Sequence, residues 1–480
     1  MNHGVYVDEK GTQISKPRVT TTGIQFVVGI APIHRLADPS KAVNTVIKCE
    51  SLSEAQAQLG YSEDFATFDL CQAMYMSLSV RKVAPIVFVN VLNPSNVSHT
   101  KTVAATTVSI TDGQGILDEK YMLINDDSFA VKDDGTTLVK DTDYKVSFTE
   151  DDKLLITILT GTHASVSVEG KALKPSGVTA TDIIGGVDVS TGAKSGLSLI
   201  DKVYPTFGFV AATIICPNWS KNPTVAGAMA GITEGINGVF RAFAIVDVDS
   251  STYKKASDAA AMKAAVGVKS PNACIVWPCV KVGSHIMAGS VAAATTFQYV
   301  DYDRGNGLPY YPPSNKSAYV DSVVLEDGTE MIMTSEEGNI LNDKGIATFI
   351  KAGDDIRFWG DETAAFPDTN DPKDVFINVR RFYTWYENRL IIDYFDKVDE
   401  PINLKLVESI VDSESVVLNG YVSAGACLKA EISVSDENTV ETLAAGKLYF
   451  DVILTVPTPA KEIRFTVSFD PTALMNALAA

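Results

Sequence analysis

Two incompatible hydrophobic rhythms share this chain. Between residues 97 and 178 apolar side chains fall on alternate positions in short runs, TVAATTVSI, YMLIN, YKVSF, LLITIL and ASVSVEG, separated by turn chemistry such as KDDGTT and TEDDK. Alternation of this kind puts one face of a strand in a core and the other in water. On either side the runs are continuous instead: GIQFVVGIAP (23–32), PIVFVNVL (85–92), FGFVAATIICP (207–217), RAFAIVDVD (241–249) and NACIVWPCVKV (272–282). Strands that are apolar throughout are buried on both faces, and helical segments such as PTVAGAMAGITEGING and YKKASDAAAMKAAV lie between them. One block therefore predicts an antiparallel β-sandwich and the other a parallel, doubly wound α/β sheet.

The chain of 480 residues reads as a multidomain α/β and α+β protein. Residues 1–22 form an N-terminal arm in which GVYVDE sets Val5 and Val7 on one face of a strand, with Tyr6 between them and no partner nearby. Residues 23–96 give an α/β segment, whose SLSEAQAQLG carries a capping box from Ser51 to Glu54 and stops at Gly60. Residues 97–184 are the inserted, protruding sandwich, and 185–351 return to α/β. Residues 352–469 make a C-terminal α+β domain containing NVRRFYTWYENRLIIDYF, a second helix within INLKLVESIVDSESVVLNGYVSAG, and the strands KLYFDVILTV and KEIRFTVSF. In the last of these, Ile463, Phe465, Val467 and Phe469 face one way, and either donation to a neighbour or internal pairing fits. Residues 470–480 are a small-residue tail.

Charge and motif exclude several functions. A net charge of −19 opposes nucleic-acid binding, which needs clustered Lys and Arg. The start MNHGVYVDEKG lacks the features of a secretory signal, and no apolar run approaches the ~20 residues of a membrane span. Reduced thiols in a cytosolic setting are expected from six scattered cysteines, and the Asn-X-Ser sequons are then idle. No catalytic residue, cofactor site or metal site is identified. GGVDVSTGAKSG has one residue too many before its Lys for a phosphate loop, RGNGLP lacks the third glycine of a dinucleotide fingerprint, and no GxSxG occurs. The five histidines are dispersed; only His285 falls where an α/β site could lie, and a partly buried strand-end histidine explains it.

What remains is a series of motifs in fixed order: HGVYVDE, VDYDRGNGLPYYPPSN (300–315), LNDKGIATF (341–349), IRFWGDET (356–363) and FINVRR (376–381). Together they resemble the tail sheath proteins of contractile phages and related injection systems, over the whole chain. His3 stands where the family often has Pro, and Asp361, Glu362 and Thr363 replace Asn-Arg-Thr, which reverses a charge at Glu362.

The resemblance implies a sheath subunit, not an enzyme. It would polymerise as stacked hexameric rings around a tail tube protein and contract to drive the tube through a host envelope. Further partners would be baseplate and tail terminator proteins, with no direct nucleic acid and no membrane insertion. The place implied is the virion tail, assembled in the bacterial cytoplasm. Terminal arms would complete sheets in neighbours, which assigns Val5, Tyr6, Val7, Ile463, Phe465, Val467 and Phe469 to inter-subunit strands. Arg380, Arg381, Trp385 and Arg389 are expected in C-terminal domain packing or in tube and neighbour contacts. The alternatives are the sheath of a phage-tail-like bacteriocin, an α/β enzyme with an appended sandwich, and a secreted adhesin.

Overall fold

The computed structural model describes residues 18–478; the expected arm strand of Val5, Tyr6 and Val7 lies outside them. Among the described residues the central feature is a nine-stranded sheet. Its strands are Gln25–Gly29 (β1), Ile47–Cys49 (β2), Ile86–Asn90 (β3), and, after an interruption that takes up β4 to β10, Thr213–Ile215 (β11), Phe243–Asp247 (β12), Ala273–Val276 (β13), Lys316–Ser317 (β14), Ile346–Ala352 (β15) and Asp355–Trp359 (β16). The order is β14-β16-β15-β13-β12-β11-β1-β3-β2, parallel from β15 to β3 and antiparallel at both margins. Every residue of β1, β3, β12 and β13 is buried, as continuous Val, Ile and Phe runs require.

Helices Leu52–Leu59 (α1), Pro223–Ile232 (α2), Ala259–Val266 (α3) and Gly289–Asp303 (α4) connect or cover these strands. The Ser51 hydroxyl accepts from the Glu54 amide at 3.2 Å, so the expected cap is formed. Within FGFVAATIICP only the second half is strand. The chain leaves a short helix at Gly208, whose φ of +76° ends that helix, and reaches the sheet at Thr213.

The interruption consists of Thr100–Ser109 (β4), Gln114–Lys120 (β5), Ala130–Asp133 (β6), Thr136–Thr137 (β7), Tyr144–Phe148 (β8), Lys153–Ile158 (β9) and Ser165–Leu173 (β10). They form two antiparallel sheets, β8-β9-β5 and β4-β10-β6-β7, around an apolar cluster of their own that includes Val103, Leu117, Val131, Leu154, Ile156 and Val168. YMLIN makes no strand, because the chain turns at Tyr121 (φ +61°) and only Met122 bridges to β10. These sheets are not loosely hung. The β8–β9 turn inserts Asp152 into the body, where it accepts from His34 Nε2 at 2.9 Å, Arg35 Nε at 2.6 Å and the Ser62 hydroxyl at 2.6 Å.

After α4 come Ser335–Asn342 (α5), then Ile377–Tyr394 (α6), Leu404–Ser423 (α7), Lys429–Val434 (β17), Val440–Ala444 (α8), Phe450–Thr455 (β18) and Thr472–Leu478 (α9). The expected boundary at 352 needs correction. β15 and β16 form one hairpin across it, with Ala352 opposite Asp355, so the large sheet runs to Trp359. A second correction concerns KEIRFTVSF: it has no regular secondary structure and no strand partner among the described residues, while KAEISV, unpredicted, is β17.

Candidate assembly interface

Helix α6 is the joint between the body and the C-terminal elements, and its charged residues are turned inward. Arg381 reaches Asp301 on α4 through two bonds of 3.0 and 2.5 Å, with both residues nearly sealed from solvent and the guanidinium 4.9 Å from the Phe297 ring centroid. Burial pushes the Asp301 carboxyl up, and the Arg381 charge pulls it back. About two turns further along the same face, Asn388 holds the Arg241 backbone at 2.8 and 2.7 Å. Toward α7, Glu414 is fully buried and accepts from Arg389 at 2.7 and 2.9 Å, from Tyr386 at 2.9 Å and from Tyr394 at 2.8 Å. Four donors on one carboxylate offset the desolvation of the charge.

The remaining members of the stretch fall into place around these pairs. Arg380 is buried and lies 3.3 Å from Asp374 and 3.4 Å from Glu387. Trp385 packs on Phe382 and Tyr421, with ring centroids 5.5 and 5.8 Å away. Arg380, Arg381, Trp385 and Arg389 are thus all engaged inside the subunit. Local spacing put them on a helix; the partners Asp301 and Glu414, distant in sequence, gave no local signal.

Beyond this joint, β17 and β18 form a two-stranded sheet in which Lys429 pairs with Thr455 and Val434 with Phe450. Ala430 and Leu454 are buried against the helices, while Glu431 and Ile453 face solvent. Each strand pairs with the other and with no third strand among the described residues, so their outer edges carry backbone groups that no strand pairs, although the Leu454 carbonyl on the β18 edge accepts from the Tyr383 hydroxyl of α6 at 2.5 Å.

The chain then runs from β18 along α6 and is held at two points. Asn378 Nδ2 donates to the Pro457 carbonyl at 3.0 Å, and Lys461 pairs with the buried Glu362 two residues before that sequence turns exposed and apolar. Glu362, the residue of reversed charge, therefore meets a cation from its own chain. Asp361 beside it has its carboxyl pushed up to about 6 by burial, against the pull of Lys461 and Lys316. From there Ile463, Phe465, Val467 and Phe469 are 72, 85, 93 and 78 % exposed, a row of apolar side chains in water. The Arg464–Glu462 ion pair puts these two on one side of the chain, the i, i+2 relation of an extended segment.

The body itself leaves no ligand crevice at its topological switch point. Connections reverse between β1 and β11, where open α/β sheets hold ligands beyond the strand ends. Here Asp69 fills that position, accepting from the Ile30 amide at 2.7 Å and the Trp219 indole at 2.6 Å. A Cβ on Gly29 would lie 1.8 Å from the Asp69 oxygen, so the fit is tight. Burial holds the Asp69 carboxyl up at about 8. At the end of β12, Asp247 is closed off in the same way by Ser220 at 2.6 Å and by the Ser290 amide and hydroxyl at 2.7 and 2.6 Å. His285 is 2.9 Å from Glu63 and stacked 4.2 Å from the Phe65 ring, a packed side chain at a strand start.

No family model matches the chain. A tail sheath protein of Burkholderia phage BcepMu is 27% identical over 489 aligned residues, covering 96% of this chain and 95% of that one. The chain is a homologue of the contractile-tail sheath proteins. A putative prophage major tail sheath protein of Pseudomonas aeruginosa UCBPP-PA14 is 27% identical over 63% of this sheath homologue and 76% of its own length. The tail sheath protein of Escherichia phage P2 is 33% identical over 26% of the chain and 31% of its own. The fold is shared with the PVC sheath complex of an extracellular contractile injection system in its contracted state, with TM-score 0.55, 14% identity and coverage of 98% and 99%. It is shared also with the anti-feeding prophage helical sheath in the contracted state, with TM-score 0.56, 15% identity and coverage of 97% and 99%.

Proposed function

We propose that the chain is a structural sheath subunit, which polymerises as stacked rings around an inner tail tube and contracts to drive that tube through a host envelope for genome delivery. What supports this reading is that one subunit carries two features suited to a strand-exchange joint. It has an alternating segment, Ile463–Phe469, with its apolar side chains in water, and a two-stranded sheet that no third strand joins among the described residues. Added to that sheet, the segment would turn Ile463, Phe465, Val467 and Phe469 onto the face already formed by Ala430, Ile432, Val452 and Leu454. Glu462 and Arg464 would then lie on the solvent face with Lys429, Glu431 and Asp451. Main-chain bonds would supply affinity and the alternate side chains register. The second open edge is the place proposed for Val5, Tyr6 and Val7 of another copy.

In the same reading, the large sheet and its helices are a doubly wound body, residues 97–184 an inserted β-sandwich, and the part built on α6, α7 and β17–β18 an α+β domain facing the tube. Acidic residues outnumber basic ones about two to one after residue 352, so the tube would answer with basic or polar groups. Arg380, Arg381, Trp385 and Arg389 are assigned to packing because each is already engaged. Baseplate and terminator proteins complete the partners, and the virion tail, assembled in the bacterial cytoplasm, is the location. The role is structural, and the driving force comes from subunit contacts.

Negative-stain electron microscopy of the purified protein over a range of protein and salt concentrations tests this. Long striated hollow cylinders are expected. Discrete small particles at every condition, with or without tail tube protein, would count against a self-assembling sheath.

A further inference from the structure

Two sets of exposed apolar side chains near the C-terminus lack a partner among the described residues, and they match. The first is α9, Thr472–Leu478, on which Leu474, Met475 and Leu478 are 59, 71 and 87 % exposed. Spacings of three and four set these residues along one stripe. A helix of seven residues is too short to persist in water on its own. Its cap is built: Asp470 accepts from the Thr472 amide at 2.9 Å, and Pro471 ends any strand that precedes it.

The second feature is a groove of about 650 Å³ between α7, α8 and the loop that follows α6, lined by Val398, Ile402, Leu406, Leu443 and Leu448. Val398 is 64 % exposed, and Leu443 37 %. Lys397, Asp399 and Glu400 stand on its rim, and α9 carries no charged side chain to conflict with them. The groove also includes Phe450, the first residue of β18, so it abuts one end of the open sheet.

We infer that α9 of a second copy docks in this groove. The inference rests on the strand-exchange reading above, and geometry supplies the link. A segment added antiparallel to the edge of β18, taking the Leu454 carbonyl over from the Tyr383 hydroxyl, finishes at Phe450, next to the groove. Residues 470 and 471 separate Phe469 from the helix, and the three steps to Thr472 span at most about 11 Å. Delivery to the groove therefore follows from the strand's own direction. The contact is a helix-in-groove joint anchored at i, i+1 and i+4, and it reinforces a strand joint by making the two bind as one unit.

Disulfide trapping in the full-length protein tests both joints separately. The native cysteines are buried or part-buried, so paired surface cysteines report alone. M475C with L443C probes helix docking, and T466C with I453C probes strand addition. In concentrated protein under mild oxidation, M475C/L443C is expected to give a ladder of covalent oligomers on non-reducing gels, with none from M475C alone. A ladder from T466C/I453C without one from M475C/L443C overturns helix docking and leaves strand exchange standing. The reverse result keeps the docking and overturns the strand joint. No ladder from either overturns both, and a fast-migrating crosslinked monomer from M475C/L443C overturns the second copy as occupant.

Discussion

Arg381 and Asp301 stand or fall together. With both side chains nearly fully buried, removing the cation leaves a carboxylate stranded in the interior. Arg381→Ala should therefore lower unfolding free energy by roughly 3–5 kcal/mol, whereas Arg381→Met with Asp301→Leu should cost far less. Denaturant titration of the two variants beside the parent checks this. Asp152 is a node of another kind, because it titrates with its neighbours. Burial holds the His34 ring below its usual 6.5, although Asp152 pulls it upward. Protons thus favour the unfolded chain, and this contribution to stability falls as pH drops below about 6.5 until the folded value is reached. For Asp152 burial raises the carboxyl, but hydrogen bonds from His34 and Ser62 with the Arg35 charge outweigh it and leave it low. Its contribution is present above the usual value of 3.8 and is lost as pH falls through the folded one. Melting temperature should decline from pH 7.5 to pH 5, and His34→Gln should flatten the upper part of that decline. Neither node was legible in the sequence: His34 and Asp152 are 118 positions apart, and nothing in local spacing pairs them.

At the scale of elements, the arm is separable from the fold. Phe465 and Val467 are 85 and 93 % exposed, so Phe465→Asp or Val467→Asp should leave subunit stability within about 0.5 kcal/mol of the parent. The same variants should abolish tubes in electron micrographs; tubes like those of the parent would exclude the arm from assembly. Most parallel strands could be read directly from their apolar runs, since burial on both faces leaves no other pattern. KEIRFTVSF displays a strand's alternation but finds no partner among the described residues, and a pattern cannot say who supplies the partner. KAEISV has the same alternation from Ala430 to Val434, masked by Lys429 and Glu431 on the solvent face. FGFVAATIICP misled because its apolar residues line the way into the sheet as well as the strand itself.

For the whole molecule, charge decides when subunits meet. A net charge of −19 on each copy repels at long range, and added salt screens that repulsion. Sedimentation should show more assembled protein at 500 mM than at 50 mM salt, and the opposite order would mean that ion pairs between copies dominate. The alternation of rhythms disclosed that two kinds of sheet are present. It could not disclose that one large sheet gathers strands from residues 25 to 359, because sheet membership depends on the path of the chain between strands. The held root of the C-terminal segment then has a mechanical meaning. A pull on residues beyond 461 enters through Lys461 at Glu362, just past β16, and through Pro457 at Asn378 on α6. Arg381 passes the load from α6 to α4 and so to the interior of the sheet. In the proposed assembly, where that segment joins a neighbour, compliance would then lie in the few residues beyond the root, and displacement imposed on one copy would reach the next with little lost to stretching inside it.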